Sequence, residues 1–140
     1  MSTITYRKMS IEDYEQVSEL WAGIDGLVLS EADSQEQIAS YLTRNEGLSF
    51  VGMDGDTVIA TILCGHDGRR GFIYHVAVSP AYRGRKIGNQ LVERSLQRLK
   101  AEGIDKCHLF VLEDNELGGQ FWTAVGWKKR SGFFVYSKDL

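Results

Sequence analysis

Cysteine and proline are almost absent from this chain, which has two Cys and a single Pro in 140 residues. Two thiols, Cys64 and Cys107, are too few for a disulfide framework and lack the paired spacing of a zinc site, so no bound metal is expected. Each is expected in a strand as a small buried side chain, with a reactive thiol as the alternative. Long apolar runs are missing too, and the opening MSTITYRKMS has no apolar stretch after a basic one, so neither a membrane span nor a secretory signal is expected. A cytoplasmic protein is the expectation. Cationic excess is also lacking: 16 Lys+Arg against 19 Asp+Glu leaves −3, which disfavours general nucleic-acid binding.

What is present is the composition of a soluble globular domain, 43% hydrophobic and 25% charged. The length suits one domain over 1–140, because two would each be starved of core. Residues 3–8 alternate as an opening strand. Ser10 with Asp13 is an N-cap signature ahead of Tyr14, Val17, Leu20 and Trp21 at helical spacing, and Ser34 with Gln37 opens a second helix over 34–45. LSFVGM, TVIATILCG and GFIYHVAVS then read as three strands separated by Asp-Gly turn signals, the third closed by Pro80. A long helix with Ile87, Leu91, Val92, Leu96 and Leu99 on one face ends at Gly103. KCHLFVL is the next strand, a short helix runs from Asn115 to Gly126, and WKKR and FFVYSK are expected as two closing strands. This order describes an α/β (α+β) fold around a mixed, mostly antiparallel sheet with flanking helices.

The chemistry concentrates between Val76 and Asn89, where a strand stops at a proline, a glycine-bearing loop follows, and a long helix begins. The first N–H groups of a helix have no internal partner and the helix dipole is positive there, so such a junction can hold phosphate. Gly84 and Gly88 let backbone approach a ligand, and Arg83, Arg85 and Lys86 add positive charge. The spacing is neither that of a Walker loop nor of a dinucleotide fingerprint. Taken alone, the segment reads more readily as an ordinary basic strand-to-helix loop.

A second segment changes the weighting. Arg83 and Gly88, after Val78-Ser79-Pro80, and downstream Asn115, Gly118, Phe121, Trp122, Gly126 and Trp127, together resemble the two motifs of the GNAT N-acetyltransferase superfamily, in the right order and at the usual distance. Lys86 stands where the family's loop has the first of its two glycines. The resemblance spans essentially the whole chain and implies a GNAT fold with a central strand pair, 71–79 and 105–112, splayed to form a slot for acetyl-CoA as cosubstrate. It implies that the pantetheine arm pairs with backbone of Val76 and Val78 beside Ala77. The diphosphate would rest on Arg83, Gly84, Arg85, Lys86, Ile87, Gly88 and Asn89, with Asn115 and Trp122 on the other wall. Asn115 is also a plain helix N-cap candidate.

The implied reaction is transfer of the acetyl group to a primary amine of a small molecule or peptide, by direct attack in a ternary complex. The alternative is a catalytically silent acyl-CoA-binding regulatory or sensor domain. A homodimer is compatible with either. A lysine-like ammonium needs a base, and the candidates are Glu113, with Asp114 beside it, and His75. Glu113, at a strand end beside the slot, is preferred, although it also suits a solvated acidic turn. Alternation sets His75 with Ala77, opposite Tyr74, Val76 and Val78, which suits a packed strand histidine. Trp122 stands where much of the family has a tyrosine that protonates the departing sulfur; an indole N–H is a donor but not a useful acid. Asp25, Glu31 and Asp33, in the loop that the resemblance places at the acceptor entrance, would favour a cationic acceptor.

Overall fold

The structure, a computed structural model, describes residues 3–140. Strands β1 (Ile4–Lys8), β2 (Phe50–Asp54), β3 (Thr57–His66), β4 (Gly71–Val78) and β5 (Cys107–His108) form one sheet in the order β1-β2-β3-β4-β5. The first three pairings are antiparallel and β4–β5 is parallel. A parallel pair needs a long crossover, and α3 (Ile87–Ala101) supplies it. The other helices are α1 (Tyr14–Ala22), α2 (Gln35–Arg44) and α4 (Glu116–Ala124). The sequence-expected fold class is therefore the observed one. Residues up to Phe110 form one compact unit and Val111–Leu140 a second. Among the described residues no helix is long and apolar enough to cross a membrane.

Local signals account for the helix starts. Ser10 and Asp13 form the expected capping box around the 3-10 turn Ile11–Asp13 that leads into α1. Asp13 also takes both Arg7 guanidinium nitrogens at 2.8 and 2.7 Å, which ties this helix start to β1. Ser34 caps α2 by accepting from the Gln37 N–H.

Two apolar layers flank the sheet. On one face Val17 and Trp21 of α1 and Ile38 of α2 pack with Val51, Met53, Val58, Leu63 and Ala77. Against the other lies α3, whose buried Ile87, Leu91, Val92 and Leu99 are the stripe expected from sequence. Burial of each such side chain stabilises the fold by roughly 1.5–3 kcal/mol. Gly71 of β4 is required by this contact, since a Cβ there would sit 2.7 Å from Leu99 Cδ1. Cys64 and Cys107 lie in β3 and β5, and burial pushes their thiols up to about 12 and about 11, so both behave as small apolar side chains.

A β-bulge interrupts the β3–β4 ladder. Ala77 pairs with Thr61 and Tyr74 with Leu63, so two residues of β4, His75 and Val76, stand opposite one of β3. His75 takes φ 49°, the left-handed region that side chains other than glycine rarely adopt. The bulge resets the alternation: Gly71 faces Leu99 of α3, whereas Ala77 packs with the α1 layer.

The sequence overextends the end of the sheet. The expected strand over 105–112 shortens to Cys107–His108, paired only to Gly71 and Phe72. The expected strands WKKR and FFVYSK do not form; Phe134 and Tyr136 are 89% and 93% exposed. Alternation is a local property, but a strand exists only where its N–H and C=O groups find a ladder, and no described residue of 111–140 is in one.

Candidate functional site

Beyond Phe72 the β5 side of β4 has no ladder partner among the described residues, so the segment containing Val76, Ala77 and Val78 has one open edge. Ala77 is buried, and Val76 and Val78 are half-buried. An extended chain carrying amide groups can add itself to such an edge. Arg83 Nε donates to the Val78 carbonyl at 3.3 Å, which brings the start of the following loop back against the strand end.

That loop is built by one 3-10 turn and two left-handed residues. Pro80–Tyr82 forms the turn. The Tyr82 hydroxyl donates to Asp54 of β2, anchoring the turn on the sheet, and this hydrogen bond raises the phenol above its ordinary pKa. Arg85 lies over the Tyr82 ring, 5.6 Å from its centroid. Gly84 has φ 80° and open space where a Cβ would stand, and Lys86, at φ 61°, is the N-cap of α3. No side chain caps this helix, in contrast to α2 and to α4, where Asn115 accepts from the Gly118 N–H at 2.9 Å. The first N–H groups of α3, at Ile87, Gly88 and Asn89, are therefore left for a ligand, with Arg83, Arg85 and Lys86 around them. An extended amide chain continuing into a pyrophosphate matches the open strand edge followed by the uncapped helix. The donor set fits coenzyme A.

On the α1 side of β4 lies a pocket of about 250 Å³ lined by Tyr14, Ser18, Trp21, Leu29 and, from the turn Glu31–Asp33 and its flanks, Ser30, Glu31, Asp33 and Ser34. His75 Nε2 is 2.7 Å from Asp33 Oδ1. This pairing was not legible in the sequence, which flagged the two residues separately. Asp25 is exposed and does not line the pocket.

The remaining sequence candidates belong to the second unit. Glu113 is exposed, lies in the turn before α4, and has no hydrogen bond among the described residues. Asn115 fulfils the N-cap expectation. Trp122 packs edge-on against Phe121 and Trp127, each at 5.0 Å between ring centroids, so within this unit it is part of an aromatic cluster.

The model of the acetyltransferase (GNAT) family matches residues 14–127, a span that crosses both units. An acetyltransferase of Sodalis glossinidius is 36% identical over 129 residues, covering 92% of this chain and 90% of the relative. An acetyltransferase of Photorhabdus laumondii is 38% identical over 105 residues, 75% of this chain and 73% of the relative. Among solved structures, the PaiA N-acetyltransferase of Thermoplasma acidophilum in complex with coenzyme A superimposes with a TM-score of 0.77 at 25% identity, covering 94% of this chain and 93% of that one.

Proposed function

The chain belongs to the GNAT acetyltransferase family, and from that premise we propose that it carries the acetyl group of acetyl-CoA to a primary amine of a small molecule or peptide by direct attack in a ternary complex. Acetyl-CoA is its cosubstrate and supplies the acetyl group already activated as a thioester. The reading takes both units as parts of one domain, as the span of the family match supports.

The observation that carries the proposal is the open edge of β4 running into an uncapped, basic helix start. Backbone of Val76 and Val78 holds the pantetheine arm, and the N–H groups at 87–89 with Arg83, Arg85 and Lys86 hold the diphosphate. Asn115 and Trp122 are assigned to the same cosubstrate by the motif they occupy. Thiol loss does not demand a side-chain acid, because a thiol of pKa about 8.5 leaves tolerably as thiolate near neutrality. A carboxylate-lined pocket on the α1 side favours an acceptor that arrives as an ammonium.

The test is thiol release from acetyl-CoA by the purified protein over a panel of primary amines, with calorimetry of CoA binding alongside. Amine-dependent thiol release supports the proposal. CoA binding without turnover of any amine would refute it in favour of an acyl-CoA sensor.

A further inference from the structure

His75 and Asp33 are separated by 42 residues and meet at 2.7 Å with side chains only 15% and 13% exposed. Their surroundings hold both from several directions. The Trp21 ring lies 4.8 Å from the imidazole, and its Nε1 donates to Thr61 Oγ1, which in turn donates to the His75 carbonyl at 2.9 Å. Asp33 is fixed at its far end as well: its Oδ2 accepts from the Ser30 N–H at 3.0 Å and its carbonyl accepts from the Tyr14 hydroxyl at 2.7 Å. A carboxylate can only accept, so the contact places a proton on Nε2 and leaves the lone pair of the neutral ring on Nδ1. Among the described residues nothing hydrogen-bonds Nδ1, and it is not sealed from solvent.

Residues other than glycine rarely adopt a left-handed backbone, and here one does so at a bulge next to Val76 on the open edge. We propose that His75 is the general base of acetyl transfer, acting through Nδ1, and that Asp33 is the positioning residue that keeps the proton on Nε2. The proposal rests on the amine-acetyltransferase reading and deepens it. It also replaces Glu113, the residue preferred from sequence, with one that has a dedicated partner.

The proton balance is explicit. An ammonium acceptor gives one proton to Nδ1, directly or through one water; its nitrogen pair forms the C–N bond while the C–S bond breaks. The second nitrogen proton ends on the CoA sulfur, and the imidazolium returns its proton to solvent. Of the titratable groups near the ring, Asp33 from the turn contacts it directly and Tyr14 from α1 reaches Asp33; Glu31 lines the neighbouring pocket together with Asp33 and Tyr14, and from β3 Thr61 donates to the His75 carbonyl.

Two measurements test this. In ligand-free protein, ¹⁵N imidazole spectra distinguish the three histidines, His75 being the signal lost in His75→Asn. Asparagine tolerates the left-handed backbone, and His75→Gly is the second variant should it fold poorly. The wild-type ring should show the Nε2-protonated tautomer, and Asp33→Asn should lose that preference. In thiol-release assays, His75→Asn should lower kcat about 10²–10⁴-fold and abolish the ascending limb of its pH profile. Asp33→Asn should lower kcat about 10-fold or more while the acetyl-CoA KM stays within about twofold. A wild-type Nδ1-protonated tautomer, a limb that survives in the His75 variants, or a limb lost only in Glu113→Gln would each overturn the assignment. If the wild type binds CoA and turns over no amine, the acetyltransferase reading fails and the base role with it, while the tautomer still decides whether Asp33 positions the ring.

Discussion

Lys86 is a lysine in a backbone conformation suited to glycine, and replacing it separates two contributions to the cosubstrate loop. At φ 61° a side chain costs roughly 1–2 kcal/mol relative to the right-handed region. Glycine removes that cost but loses more freedom on folding, by about 0.5–1 kcal/mol. Lys86→Gly should therefore stabilise the ligand-free protein by about 0.5–1 kcal/mol, or about 2–4 °C in Tm. The same arithmetic reverses at Gly84, whose φ is 80° with nothing within 4 Å of a Cβ position. Gly84→Ala meets no steric obstacle there and should destabilise by a similar amount through the backbone alone. Thermal and urea unfolding of the two variants, without ligand, measure this pair of opposite signs. Calorimetry with acetyl-CoA then isolates the charge: one exposed ammonium in water is worth at most about 1 kcal/mol, so Lys86→Gly should weaken binding no more than about fivefold. Stabilities of the same sign in both variants would refute the left-handed geometry. A hundredfold loss of affinity in Lys86→Gly would show that the ammonium, not the helix N–H groups, holds the diphosphate.

Asp13 should control the acid limb of stability. Burial raises its carboxyl, but the Arg7 hydrogen bonds, the Ser10 N–H and the Arg7 charge outweigh that and hold it below the ordinary carboxylate value. With the folded pKa depressed, the contribution is full above the unfolded value of about 3.9 and is lost as pH falls through the folded one. Asp13→Asn should cost about 1–3 kcal/mol near neutrality and flatten urea-unfolding stability in the acid range; an unchanged acid limb would count against it. Asn115→Ala should destabilise α4 by about 1 kcal/mol without any ligand present, because the Gly118 N–H loses its cap, and a ligand-free stability equal to wild type would leave the cap without an energetic role.

Much of this molecule is written in short-range chemistry. Ser10 with Asp13, Ser34 with Gln37 and Asn115 with Gly118 start helices because each hydroxyl, carboxylate or amide reaches a backbone N–H three residues away. Turn glycines and the period of the apolar stripe located β2, β3, β4 and α3, and the strand–loop–helix of 76–89 was recognisable because every part of it is contiguous. Tertiary structure decided what depends on distant pairing. Alternation in FFVYSK and FVL promised strands, yet the ladder ends at His108 because no described partner continues it. The bulge at His75 comes from fitting β4 to β3 across Thr61 and Leu63, and a one-residue shift of that kind changes which face a side chain serves. Only the folded chain brings Asp33 to His75, since a side-chain contact across 42 residues leaves no periodic trace in either segment.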